Sequence, residues 1–217
     1  MTYEELIRML KEERDPQAVN ARREEIAEIL PTMRIMFDFD QKNHAHQYDL
    51  WMHCVHTALG LPRGLEDDML YLAALLHDIG KPECQVKGKR EDDPNMHYYG
   101  HPEVSERIVR EKVLPELERT VLLTKDDRRR MLYYVAYHDD RVSLRIRHLR
   151  RHLKIPVSFG EFQNLMLLET ADAKAHVQIP IVEQRAEICG KLAWEYGREL
   201  YAEIMREEAG KKVFFMS

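Results

Sequence analysis

The sequence has no apolar run long enough to cross a bilayer. Its longest unbroken stretch is the eight residues Met69 to Leu76, well short of the about 20 residues that a spanning helix needs. The N-terminus, MTYEELIRMLKEERD, is charged and amphipathic and lacks the apolar centre of a secretory leader. Cysteine is scarce: Cys54, Cys84 and Cys189 are scattered and odd in number. They offer no disulfide framework, and the expected compartment is a reducing cytoplasm. An excess of basic charge is also missing. The net charge is −5, so there is no global attraction to nucleic acid and only local basic patches remain as candidates. Strand signals are nearly absent, with no sustained two-residue alternation and no Asn-Gly or Asp-Gly turn.

What is present is helical. Apolar residues make up 44% of the chain, enough for a core, and charged residues 33%, too many for a membrane protein. Apolar periodicity predicts helices over 2–14, 16–30, 48–60, 67–77, 101–113, 126–138, 143–152, 159–177 and 181–208. Pro16 opens the second of these and Pro31 lies just beyond its end. Residues 37–47 read as irregular, and 81–100 as the longest loop, with little apolar content and an Asp-Asp-Pro turn. A loop of that length in a compact domain is often functional. No internal repeat or low-complexity linker is visible. The final helix ends in GKKVFFMS, whose phenylalanines could dock on the body or on a partner.

All eleven histidines fall between 44 and 176, and their placement is informative. In MLYLAALLHDIGKP, residues 69–82, eight apolar residues predict a buried helix that delivers His77 and Asp78 from its end. Gly80 and Pro82 then stop it. A carboxylate beside an imidazole at the end of a core helix is costly unless compensated. A metal cation compensates it well, since both are good ligands; a helix-capping histidine is the plainer alternative. Asp172 lies seven residues after Leu165 and four after Leu168, on an apolar face, where it is either a ligand or a structural acceptor. His138 follows Met131 by seven and Tyr134 by four, and is also inward-facing. His101 precedes Pro102 at the mouth of a helix. His53 only flanks the stripe of Leu50, Trp51, Cys54, Val55 and Ala58, and His56 points the other way and is expected to be exposed.

The order His53, His77–Asp78, His101, His138, Asp172 resembles that of the HD superfamily of metal-dependent phosphohydrolases. The words YDLWMH, LLHDIGKP, HYYGHPEVS, YHDD and LLETADA are similar to those in the HD domain of bacterial CCA-adding tRNA nucleotidyltransferases and their stand-alone relatives. The likeness covers about 38–177. It implies an all-α HD-domain bundle over 38–180, with an N-terminal helical extension at 1–37 and a C-terminal helix and tail at 181–217 packed on the same domain. It also implies a core metal on His53, His77, Asp78 and Asp172, with a second on His101 and His138 and Asp78 as the bridge. Lys81 matches a variant of the motif in which a lysine approaches substrate. No glycine-rich nucleotidyltransferase head with paired aspartates is present, so CCA addition is not expected.

The chemistry this implies is hydrolysis of a phosphate ester, in a nucleotide or a related phosphorylated small molecule. Asp78 is the candidate catalytic carboxylate, and Lys81 the candidate phosphate contact. The imidazole and carboxylate ligands, with no thiolate, suit one or two ions of Mn, Fe, Co, Ni, Zn or Mg without selecting among them. His97 is a candidate substrate-facing residue, and His44 and His46 are candidates for the site's entrance. Cys54 and Cys84 do not have zinc-finger spacing and read as packed or loop residues. The segment RVSLRIRHLRRHLK, residues 141–154, is strongly basic. It is either an RNA contact or a solvated helix paired with acidic neighbours. Two rival functions remain: a di-iron oxygenase with the same ligand order, and a non-catalytic RNA- or nucleotide-binding module.

Overall fold

The computed structural model describes residues 1–140, 142–153 and 157–214, with the side chains of 146–148, 153 and 208–214 excepted. It is an all-helical bundle. In chain order the helices are α1 (Tyr3–Glu12), α2 (Pro16–Ala21), α3 (Arg23–Ile29), α4 (Leu50–Leu59), α5 (Asp68–Leu76), α6 (Lys81–Cys84), α7 (His101–Ile108), α8 (Leu114–Leu117), α9 (Lys125–Tyr137), α10 (Ile146–Leu153), α11 (Phe159–Ala175), α12 (Pro180–Leu192) and α13 (Glu195–Phe214). No helix among the described residues is long and apolar enough to cross a membrane.

The local sequence explains most starts. Thr2 with Glu5, Thr124 with Asp127, and Ser158 with Glu161 form capping boxes at α1, α9 and α11, satisfying backbone N–H groups that have no partner within the helix. Asp49 and Asp67 cap α4 and α5. Asp67 also receives Arg130, the Tyr134 hydroxyl and Asn164, so the start of α5 is tied to α9 and α11. Helix α5 is buried from Met69 to Leu76 and is the central rod. It is flanked by α1, α4, α9 and α11, whose apolar faces cover it.

Several boundaries differ from the periodicity. The predicted 16–30 helix is divided at Arg22. A 3-10 segment, Pro31–Met36, succeeds it. The predicted 181–208 helix is two, separated at Ala193–Trp194. The 101–113 helix passes through a π segment, Val109–Val113, into α8; Pro115 has no N–H to give, and the wider register accommodates its ring. The 81–100 loop is not structureless. It holds α6 and a small antiparallel hairpin pairing Val86 with His97 and Lys87 with Met96. Met96 N–H also donates to the Lys42 carbonyl at 2.8 Å, fastening this hairpin to the irregular stretch before α4.

Two glycines shape the approach to α7. Gly100 caps that helix with φ +73°, a left-handed conformation that side chains resist. Gly80 has an ordinary right-handed conformation, so its role differs from the helix stop inferred from sequence. A Cβ there would lie 2.5 Å from Ser105 N and 2.8 Å from Ser105 Oγ, and Gly80 N–H donates to that hydroxyl at 2.9 Å. The missing side chain lets the turn after α5 rest directly on α7, the helix that carries His101.

Candidate metal centre

All six residues singled out from the sequence as ligands converge. His77 and Asp78 leave the end of α5, His138 leaves the end of α9, His101 opens α7, and His53 and Asp172 project from the interiors of α4 and α11. All six are buried. His53, which only flanked its apolar stripe, is buried because α4 is covered almost all round; His56 alone among its residues is half-buried. The expectation that His56 is exposed is corrected too, since its ring stacks on Tyr48 at 4.0 Å.

The carboxylate of Asp78 divides the set. Its Oδ2 lies 3.5 Å from His53 Nε2 and 3.2 Å from His77 Nε2, and Asp172 Oδ1 closes this side at 3.0 Å and 3.5 Å from the same two nitrogens. Its Oδ1 faces the other way, 3.0 Å from His101 Nε2 and 3.3 Å from His138 Nε2. Those two nitrogens are 3.2 Å apart.

The distal nitrogens show what these gaps are built for. His77, His101 and His138 each place Nδ1 on a backbone carbonyl, of Ala74, Tyr98 and Val135, at 2.9, 2.9 and 2.8 Å. A carbonyl only accepts, so Nδ1 carries the proton and Nε2 of the neutral ring is a bare lone pair. Lone pairs then face carboxylate oxygens across the gaps. His53 Nε2, His77 Nε2, Asp78 Oδ1 and Asp172 Oδ1 are all buried without a hydrogen-bond partner. Such atoms are expensive in a protein interior, and a cation is what they lack. The residues therefore fit divalent ions. His53, His77 and Asp172 form one group close enough to share an ion, and Asp78, His101 and His138 another. The backbone carbonyls behind the rings are the outer partners that metal-binding histidines normally have.

Electrostatics agree. Burial works against the charge on Asp78, yet Lys81 and His77 hold its carboxyl well below the usual range. Asp172, likewise opposed by burial, is held well down by His176, His53 and His77. Burial opposes a proton on His77, but the Asp78 charge outweighs it and raises His77 well above an ordinary imidazole. Without an ion, protons thus supply part of the positive charge that the carboxylates require. His138 is lowered by burial.

Lys81 is 4% exposed. Its ammonium lies 2.6 Å from Asp78 Oδ2, donates to Gln41 Oε1 at 3.0 Å and sits 3.4 Å from His46 Nε2. It borders a cavity of about 440 Å³, also lined by His46, His97, Tyr99, Asp139, His176 and Arg185, a size suited to a small-molecule ligand. His97 is held by Asp93 at 2.8 Å and stacks on Tyr99. His46 and His176 pack against His53. Burial, then Lys81, drives His46 down to about 2, and burial lowers His176; both rings are neutral. His44 is exposed on Asn95 and is not among the cavity residues. Cys54 is packed, as its spacing suggested, although its sulfur also comes within ligand reach of His77 and Asp78.

Gln41, His176 and Arg185 had no role in the sequence reading. His176 could have been found, since it lies four residues after Asp172 on the same face. Gln41 lies in an irregular stretch and Arg185 on another helix, where periodicity says nothing. In the basic segment, Arg150 pairs with Glu207 and Arg151 with Asp140, as a solvated helix would. Arg141 and Lys154 lie outside the described residues, as do Phe215 and the side chain of Phe214.

A helical bundle that gathers imidazoles on both sides of one shared carboxylate defines a protein built to bind metal ions. The chain belongs to the HD domain family, a family of metal-dependent hydrolases, whose match covers residues 44–175. Comparison with curated proteins and with solved structures returned no match.

Proposed function

We propose that this protein is a metal-dependent phosphohydrolase acting as a phosphomonoesterase or phosphodiesterase on a nucleotide or related phosphorylated small molecule. The observation that carries this reading is the division of Asp78, whose two oxygens each face a separate pair of buried imidazole nitrogens. His53, His77, Asp78 and Asp172 would hold one ion, and Asp78, His101 and His138 the other. Divalent ions there would acidify water and neutralise charge on phosphoryl oxygens.

The chain's own groups suit an anionic substrate. Lys81 and Arg185 bring positive charge to the cavity that borders Asp78, and a buried ammonium attracts an oxyanion more strongly than a solvated one. His46 and His176, both neutral, line the cavity beside these cations without adding charge of their own. Asp78 stays ionised and can accept a hydrogen bond from water beside it, orienting it for attack. The cavity, rather than the basic segment, is the proposed site of phosphate recognition, because Arg150 and Arg151 are paired with acidic residues. The nucleotide assignment rests on the likeness of the motifs to the HD domain of CCA-adding enzymes.

The test is metal content together with turnover on nucleoside monophosphates, 2′,3′-cyclic nucleotides and aryl phosphates, for the wild type and Asp78→Ala. Metal-dependent phosphate release that disappears in the variant is expected. Bound metal with no release from any substrate would overturn the reading. Bound iron with oxygen consumption instead would identify an oxygenase, and salt-dependent RNA binding without turnover a binding module.

A further inference from the structure

The two histidines of the second ligand group are not supported alike. His101 is backed by the Tyr98 carbonyl and by α7, which the Gly80–Ser105 contact locks to the turn after α5. His138 is the residue that caps the end of its helix, and its ring is anchored one turn back, on Val135. Its backbone is fixed from another helix. Arg185, on α12, donates from Nη2 to the His138 carbonyl at 2.7 Å and from Nη1 to Asp139 Oδ1 at 2.9 Å. Nη2 also reaches Glu169 Oε2 at 3.3 Å, and Nη1 stands 3.9 Å from Asp172 Oδ2.

Glu169 is fully buried and lies three residues before Asp172 on α11, so the two share a face. One planar guanidinium therefore joins the end of α9 to the face of α11 that carries a ligand of the first ion. Burying an arginine and a glutamate together is seldom a route to stability, since desolvation consumes most of their attraction. What the arrangement provides is geometry: a two-pronged fork leaves the backbone at 138 and 139 little freedom. Arg185 also lies beyond residues 44–175, the part of the chain that matches the HD domain family, on a helix that packs along α11.

We propose that Arg185 is a positioning residue for the second metal ion: it holds His138 Nε2 against Asp78 Oδ1, so that α12 completes a site whose ligands all lie before it. This rests on the two-ion reading of the site, but it predicts an asymmetry that the reading alone does not. Loss of Arg185 should weaken the ion on Asp78, His101 and His138 and spare the ion on His53, His77 and Asp172. Removing an outer partner of a metal ligand typically costs about 10–100-fold in affinity, and that is the loss expected for the second ion, with the first changed by less than about 3-fold.

The experiment is a Mn²⁺ titration of the full chain, wild type beside Arg185→Met and Arg185→Lys, monitored by calorimetry and electron paramagnetic resonance. The wild type should bind two ions and show a spin-coupled pair. Arg185→Met should keep one ion of unchanged affinity and show the spectrum of an isolated ion. Arg185→Lys, able to make one of the two bonds, should fall between them, and serves alone if the methionine variant does not fold. Equal weakening of both ions in either variant, or a second ion of unchanged affinity in Arg185→Met, overturns the proposal. A wild type that binds a single ion also overturns it, while leaving the hydrolase reading on the first ion. A wild type that binds none defeats that reading itself.

Discussion

The ammonium of Lys81 rests 2.6 Å from Asp78 Oδ2, the same oxygen that faces His53 and His77. Lysine and the first metal ion therefore draw on one negative charge. The ammonium is also held by Gln41 and stands over the Tyr98 ring, so it cannot simply swing into solvent. Replacing it with methionine of similar length removes the competing charge without opening a large void. Lys81→Met should bind the first ion more tightly and yet turn over about 10–100-fold more slowly, because one charge facing the phosphoryl group is lost. Metal titration beside steady-state kinetics checks this; weaker metal binding in the variant would contradict it.

Removing metal should also cost stability. Four buried polar atoms of the ligand set that face the gaps have no partner in the protein, and an ion that binds only the folded state stabilises it by mass action. At about 100 times its Kd an ion contributes about 2.7 kcal/mol, which in a chain of this size raises the melting midpoint by about 5–10 °C. Thermal melts in chelator and in added Mn²⁺ or Zn²⁺ should differ by that amount. In Asp172→Ala the difference should shrink, because that substitution removes a ligand.

The pH dependence has two arms in metal-free protein. Asp78 and Asp172 have lowered pKa values, so their contribution is complete above the ordinary carboxyl range, about pH 4, and disappears as pH falls through their folded values. His77 is raised, so its contribution is complete below about pH 6.5 and fades as pH climbs through its folded value. Chelated protein should therefore lose stability on the alkaline side. Loaded protein should not, since the ion takes the place of the His77 proton, and affinity should rise with pH as that proton is released. Melting curves from pH 5 to 9, with and without chelator, distinguish the two.

How much of this was legible in the sequence depends on the residue. Asp172 and His138 stood out because a charged or polar group on an apolar helical face needs a partner. His77 and Asp78 stood out because an eight-residue apolar run has to be buried, and it carries them in with it. His53 was harder: stripe arithmetic assumes that a helix has one wet side, and α4 has almost none. Gln41 and Arg185 could not be read. Gln41 sits in an irregular stretch, and its burial comes from the hairpin fastened over residues 42 and 43, a pairing of two residues per strand with no alternation to detect. Arg185 depends on how α12 lies along α11, a tertiary angle that no local pattern encodes. The break at Ala193–Trp194 escaped for a similar reason, since apolar spacing continues across it.

Because Asp78 serves both groups and the histidines serve one each, substitutions should sort by side. Asp78→Asn removes the charge at the centre, and both ions should weaken by more than about 100-fold, above what outer partners cost. His53→Ala should lose the first ion and keep a weakened second, while His138→Ala should lose the second and keep the first. Turnover should fall by at least about 10³-fold, about 4 kcal/mol in the barrier, in Asp78→Asn and His53→Ala alike, since the first group faces one oxygen of the carboxylate that both ions would share. His138→Ala distinguishes the roles: if the second ion acts in chemistry, saturating metal does not restore its turnover, and if it acts in substrate binding, kcat recovers while KM stays high. Metal counts and kinetics measured on the same preparations decide this. Loss of both ions in His138→Ala would mean that the two sides of Asp78 bind as one unit.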